Sequence, residues 1–147
     1  MLPRIEYSVT ARTTPDKLWE AFCDLTRLLD RGLYVEAAWT SGKPWNTGSR
    51  LRYVLEKPVP ATVSGVVTLA EPPHRVSIIN HALGITADQV VTFAQLPKGI
   101  SRVTMTMEFV GESKELRPDA VVQAIQLLTH DALDSMLVRW RQTQPQP

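Results

Sequence analysis

The chain has one cysteine, Cys23, among 147 residues, so neither an internal disulfide nor a thiolate-rich metal cluster can be built. Long apolar runs are missing too. No stretch approaches the ~20 residues a helix needs to span a bilayer, and the opening MLPRIEYSVTA lacks the apolar core of a signal peptide. Charge of one sign is scarce: 16 basic and 15 acidic side chains are interspersed, leaving a net +1 at neutral pH. Nucleic acid and anionic membranes therefore find no extended field to hold them. These absences predict a cytoplasmic chain that binds no nucleic acid and spans no membrane. The three histidines and the carboxylates show none of the ligand spacings that zinc or iron requires, so no metal site and no cofactor is expected. A Gly-rich phosphate loop is lacking, and Ser49, Ser64 and Ser77 have no nucleophile elbow around them.

What is present is ordinary globular material, 44% hydrophobic and 21% charged, of a length that suits one domain. Residues 1–142 are expected to form that domain, with TQPQP at 143–147 as a flexible tail. Ile5, Tyr7 and Val9 alternate with polar residues and predict a half-buried first strand. A helix follows, with Thr14 at the N-cap position, Pro15 in the first turn and Asp16 at the positive end. Leu18, Phe22 and Leu25 share one stripe of it. A second short helix carrying Leu28 and Leu29 is expected to stop at Gly32.

The period then changes from helical to twofold. Strands are predicted at about 35–41, 49–57, 61–71, 74–82, 85–96 and 100–110, divided by turn residues such as SGKPWNTG, KPVP, EPP, ALG and LPKG. Short connections make such strands pair antiparallel, and a sheet of about seven strands curls under its own twist. Pro118 and Asp119 open a long last helix that runs to about Arg141. Its apolar face carries Val121, Ala124, Ile125, Leu128, Ala132 and Met136, and Gln123, His130, Asp134 and Arg141 occupy the polar one. The fold class is α+β.

This order of elements resembles the START-like or Bet v 1-like (SRPBCC) superfamily, and especially its polyketide cyclase/dehydrase-like branch. The segments that carry the resemblance are TTPDKLWEAFCDL, NTGSRLRYVLE, VSGVVTLAEPPHRVSI and LPKGISRVTMTMEF, in that order, over nearly the whole chain. The resemblance implies a helix-grip architecture, in which the curved sheet wraps the C-terminal helix and an apolar ligand cavity lies between them. It supplies no catalytic motif, because members of the superfamily differ widely in chemistry.

If the alternates of Met105 face the helix, the same alternation assigns an inner face to each neighbouring strand. It comprises Leu51, Tyr53 and Leu55; Val63, Gly65 and Val67; Val76, Ile78 and Asn80; Gln89, Val91 and Phe93; and Val103, Met105 and Met107. The residues expected to touch a ligand are Leu51, Tyr53, Ile78, Asn80, Gln89, Val91, Phe93, Met105 and Met107 from the sheet, with Leu128, Ala132 and Met136 from the helix. Met107 is expected to lie the deeper of the two methionines. Tyr53, Asn80 and, after a one-residue slip, His81 are the candidates for proton transfer. Trp39 and Trp45 flank a TSGKP loop as anchors or as part of a cavity mouth. The leading function is binding of a small hydrophobic molecule. A cyclase or dehydratase using the same cavity, and a chaperone-activator-like interaction domain, are the alternatives. Val54, Val66, Ile79 and Val90 on the outer face leave room for a homodimer.

Overall fold

The computed structural model describes residues 3–111 and 113–145. Alternation of apolar and polar side chains yields seven strands: β1 Ile5–Ala11, β2 Tyr34–Ser41, β3 Arg50–Leu55, β4 Ala61–Glu71, β5 Arg75–Ala82, β6 Ile85–Leu96 and β7 Ile100–Val110. They form one curved antiparallel sheet in the order β1-β7-β6-β5-β4-β3-β2. Two helices, α1 Pro15–Cys23 and α2 Pro118–Gln142, pack on its concave side with the 3-10 helix Leu25–Arg31. Gly32 closes that 3-10 helix in the left-handed region, at φ 79°, where a side chain would be strained.

The register matches the sequence pattern. Met107 pairs with Gln89, which pairs with Ile78; Met105 pairs with Val91, which pairs with Val76. Leu51 faces Gly65, and Gly65 faces Asn80. Within β4, Gly65 serves close approach: a Cβ there would stand 2.9 Å from Asn80 Oδ1 and 3.3 Å from Ile78 Cγ2.

At ~1.5 Å per residue the 25 residues of α2 reach ~37 Å. Its second half is the tightly packed part: Leu133 and Met136 are wholly buried with Leu18, Val91 and Val103. On the polar side one position differs from expectation, Asp134, which is half-buried. Tyr7 donates to Asp134 Oδ1 at 2.7 Å, and the His130 ring stacks on Tyr7 with centroids 3.9 Å apart. Gln123, His130 and Arg141 remain exposed to solvent. At the end of α2, the Thr143 hydroxyl donates to the Trp140 carbonyl at 2.7 Å, completing the last turn. Residues 146 and 147 of the expected tail lie outside the described residues. Among those residues, no helix is long and apolar enough to cross a membrane.

Candidate functional site

Along the first half of α2 a gap lies between the helix's apolar face and the sheet. Ala124, Ile125 and Leu128 sit in the middle of the helix's apolar face yet are only half-buried. The space opposite them is a cavity of about 150 Å³. Its long wall follows α2 from Val121 to Ala132, preceded by Leu116; its floor is the inner face of β3 to β7; its rim includes the β3–β4 hairpin at Pro58 and Val59 and the β5–β6 turn at Leu83. Phe22, Leu25 and Leu28 close the far end beside Ala132.

Eight of the sequence-derived ligand residues line this space: Tyr53, Ile78, Asn80, Gln89, Met105, Met107, Leu128 and Ala132. The other four do not. Leu51, Val91, Phe93 and Met136 belong to the closed core beyond it, at 3% exposure or less. Period-two alternation puts a residue on the inner face; how far along the strand the helix lifts off the sheet is a tertiary matter. Depth is also reversed for the methionines. Met105 is 1% exposed and belongs to the core cluster, whereas Met107 is half-buried nearer the rim.

Of the proton-transfer candidates, Tyr53 and Asn80 face the cavity and His81 does not. No register slip occurs: His81 pairs with Thr86 on the outer face, and its Nδ1 is 2.9 Å from Thr86 Oγ1. Asn80 Nδ2 donates to Gln89 Oε1 at 2.9 Å, and Gln89 Nε2 approaches Met105 Sδ at 3.5 Å. Asn80 Oδ1 is buried without a partner. Burial pushes the Tyr53 hydroxyl up to about 12 and moves Tyr34 in the same direction, so both phenols stay protonated near neutrality. Their rings meet edge to face at 5.8 Å.

The sequence pattern missed several lining residues, among them Tyr34, Thr129 and the charged Arg27. The Arg27 side chain leaves the 3-10 helix inward, 3% exposed, and its Nη2 donates to the Ala132 carbonyl at 3.1 Å. The guanidinium lies 4.8 Å from the centre of the Phe22 ring. Burial brings its pKa down to about 10, which leaves it a cation at neutral pH. Nearby, Asp131 is 4% exposed and takes Arg31 Nε at 2.8 Å on Oδ1. Burial nevertheless raises the Asp131 pKa, outweighing the attraction of Arg31 and Arg27. Nothing in LTRLLDR marks Arg27 as buried: in a 3-10 helix i and i+3 share a side, and Arg27 is aligned there with Asp24 and Asp30 rather than with the apolar Leu25 and Leu28.

Trp45 both anchors and lines. Its indole donates to the Cys23 carbonyl at 3.0 Å, its ring meets Trp39 edge to face at 5.1 Å, and it forms part of the cavity wall. The site can therefore enclose an apolar body and offer it a few polar groups: Asn80, Gln89, Tyr34, Tyr53 and Arg27. Among the described residues, no group of three or more His, Cys, Asp or Glu could hold a metal ion.

No family model and no curated protein matches the chain. Solved structures do. Over 95% of this chain and 94% of the other, it is similar to the ZhuI aromatase/cyclase of Streptomyces sp. R1128, with TM-score 0.78 and 14% identity. A START superfamily protein from Mycobacterium smegmatis aligns over 96% of this chain and 99% of its own, with TM-score 0.76 and 8% identity. Norcoclaurine synthase from Thalictrum flavum, in complex with dopamine and hydroxybenzaldehyde, aligns over 98% and 89%, with TM-score 0.72 and 11% identity. The chain has the Bet v 1-like, START-like helix-grip fold.

Proposed function

We propose that this protein binds a small, largely apolar molecule in the cavity between the sheet and the first half of α2. The observation that carries the proposal is the cavity itself: about 150 Å³ walled mainly by aliphatic and aromatic side chains. An apolar space of that size accommodates about one benzene-sized ring. The rest of a longer ligand would extend towards the rim at Pro58, Val59 and Leu83. Support from fold comes second: the structural neighbours include a protein held with two small aromatic molecules.

A cyclase or dehydratase remains the alternative use of the same space. Tyr53 and Asn80 stand in its favour, since shape plus one or two polar groups can steer a folded chain. Against it, the described lining residues include no histidine or carboxylate, and a proton-transfer group works best with a pKa near the operating pH. Binding without chemistry is the reading preferred here.

Isothermal titration with para-butylbenzamide, a neutral aromatic with an apolar tail, tests it. Saturable one-to-one binding is expected, and Ala124→Phe, which puts a ring into the cavity from α2, should abolish it. Absence of saturable binding to the wild type, or binding that Ala124→Phe leaves intact, would place any ligand elsewhere.

A further inference from the structure

Among the described residues lining the cavity, Arg27 is the one with a charge, and its guanidinium is underused. Nη2 is spent on the Ala132 carbonyl, while Nε and Nη1 are both buried with no hydrogen-bond partner. A buried cation with unmet donors is costly unless something supplies the missing acceptor.

The groups around Arg27 do not supply it. Asp131 is the nearest acidic influence, but its short contact is to Arg31, and Arg27 makes no ion pair with it. One carboxylate facing two guanidiniums leaves an excess positive charge. Asp24 and Asp30 are both taken by Arg139 on the outer side of the 3-10 helix. Tyr34, Tyr53 and the Cys23 thiol influence Arg27 electrostatically, and all three remain neutral near pH 7 because burial raises each of them. The Phe22 ring face offsets part of the charge without accepting a hydrogen bond in line.

Position adds to this. Arg27 reaches the Ala132 end of the cavity, beside the buried Phe22, Leu25 and Leu28 and away from the part-exposed rim at Leu83. A ligand entering from the rim would meet apolar walls first and the cation last. Resting on the binding function proposed above, we infer that the natural ligand is an apolar carboxylate that enters acid-end first, its carboxylate accepting from the free Arg27 N–H groups at the closed end of the cavity. The two tyrosine hydroxyls, still protonated, are further donors beside that position. A carboxylate also carries its own counter-charge into a site where water is excluded, which is where charge-assisted hydrogen bonds are strongest.

The test compares para-butylbenzoate with para-butylbenzamide, which match in shape and differ in charge. In the wild type the benzoate should bind at least about tenfold more tightly, the scale of one charge-assisted hydrogen bond. By linkage, the carboxyl of the bound benzoate, followed by carbon-13 NMR, should titrate at lower pH than in free solution. In Arg27→Met the benzoate-to-benzamide preference should collapse, and Arg27→Lys should restore part of it. Equal affinities of the wild type for the two probes, with an unshifted carboxyl titration, would overturn the carboxylate assignment while leaving apolar binding standing. Binding of neither probe would overturn both. Because the probe comparison and the titration use the wild-type protein, they decide the matter even if Arg27→Met does not fold.

Discussion

Met105 and Met107 are neighbours on one face of β7, yet the structure assigns them different energetic roles, and truncating each to alanine separates the two. Met105 is 1% exposed, lies between Tyr7 and Val91 in the sheet, and has Gln89 Nε2 at 3.5 Å from its sulfur. Removing its side chain strips buried atoms from packed neighbours and enlarges the void. The usual range for this is ~2–5 kcal/mol, and the existing void on one side argues for about 3 kcal/mol. For a domain of this size that corresponds to a fall of about 6–12 °C in melting temperature. Met107 is half-buried and borders the cavity nearer the rim. Fewer packed atoms surround it, so its truncation should cost about 1 kcal/mol, chiefly the transfer term of its buried part. Binding should respond at both positions, with para-butylbenzamide weakened about threefold to tenfold in Met107→Ala through lost wall contacts. Urea melts with a common slope give the stabilities, and calorimetric titration gives the affinities. Equal stability losses for the two variants, with probe binding untouched in Met107→Ala, would mean that β7 faces a filled core and that the cavity geometry is wrong there.

Asp24 supplies a pH test. Burial alone would raise its pKa, but the hydrogen bonds from Thr26 and the charge of Arg139 outweigh this and hold it below its ordinary 3.8. A carboxyl depressed in the folded state adds stability above its unfolded pKa and loses it as pH falls through the folded value. Asp24→Asn should therefore be less stable than wild type near neutrality, and the two stability curves should converge in acid; parallel curves would contradict the assignment. Cys23, with its thiol pushed up to about 12 by burial, should resist iodoacetamide in the native protein and react readily in denaturant. Fast native labelling would show that the thiol is open to solvent. Gly65→Ala should push the Asn80 amide away from Gln89, because the new Cβ would lie 2.9 Å from Asn80 Oδ1. A loss of about 1 kcal/mol and altered probe affinity are expected, and a more stable variant with unchanged binding would show that the amide is free to move.

Much of the architecture was legible in the chain. The alternation from Ile100 to Val110 and its counterparts in β3 to β6 set the inner face residue by residue, because side chains on a strand point to opposite sides with period two and a buried face punishes any slip. Pro118 and the apolar stripe of α2 set the last helix within a residue of its end. What local pattern cannot carry is distance between elements. Whether Val91 and Met136 press into a closed core while Gln89 and Leu128 face open space depends on where α2 parts from the sheet, which is decided by the side chains of α1 and the 3-10 helix wedged at one end. Arg27 is the same case seen from the other side. Its charge and sequence neighbours suit a solvated surface; only the tertiary placement of Phe22, Tyr34, Tyr53 and Ala132 around it makes a buried cation of it. The strands and the face each residue belongs to follow from the sequence, through backbone geometry and apolar periodicity. The cavity, and the guanidinium at its closed end, exist only once separate elements are packed, because a void is a property of the gaps between elements and of no one element alone.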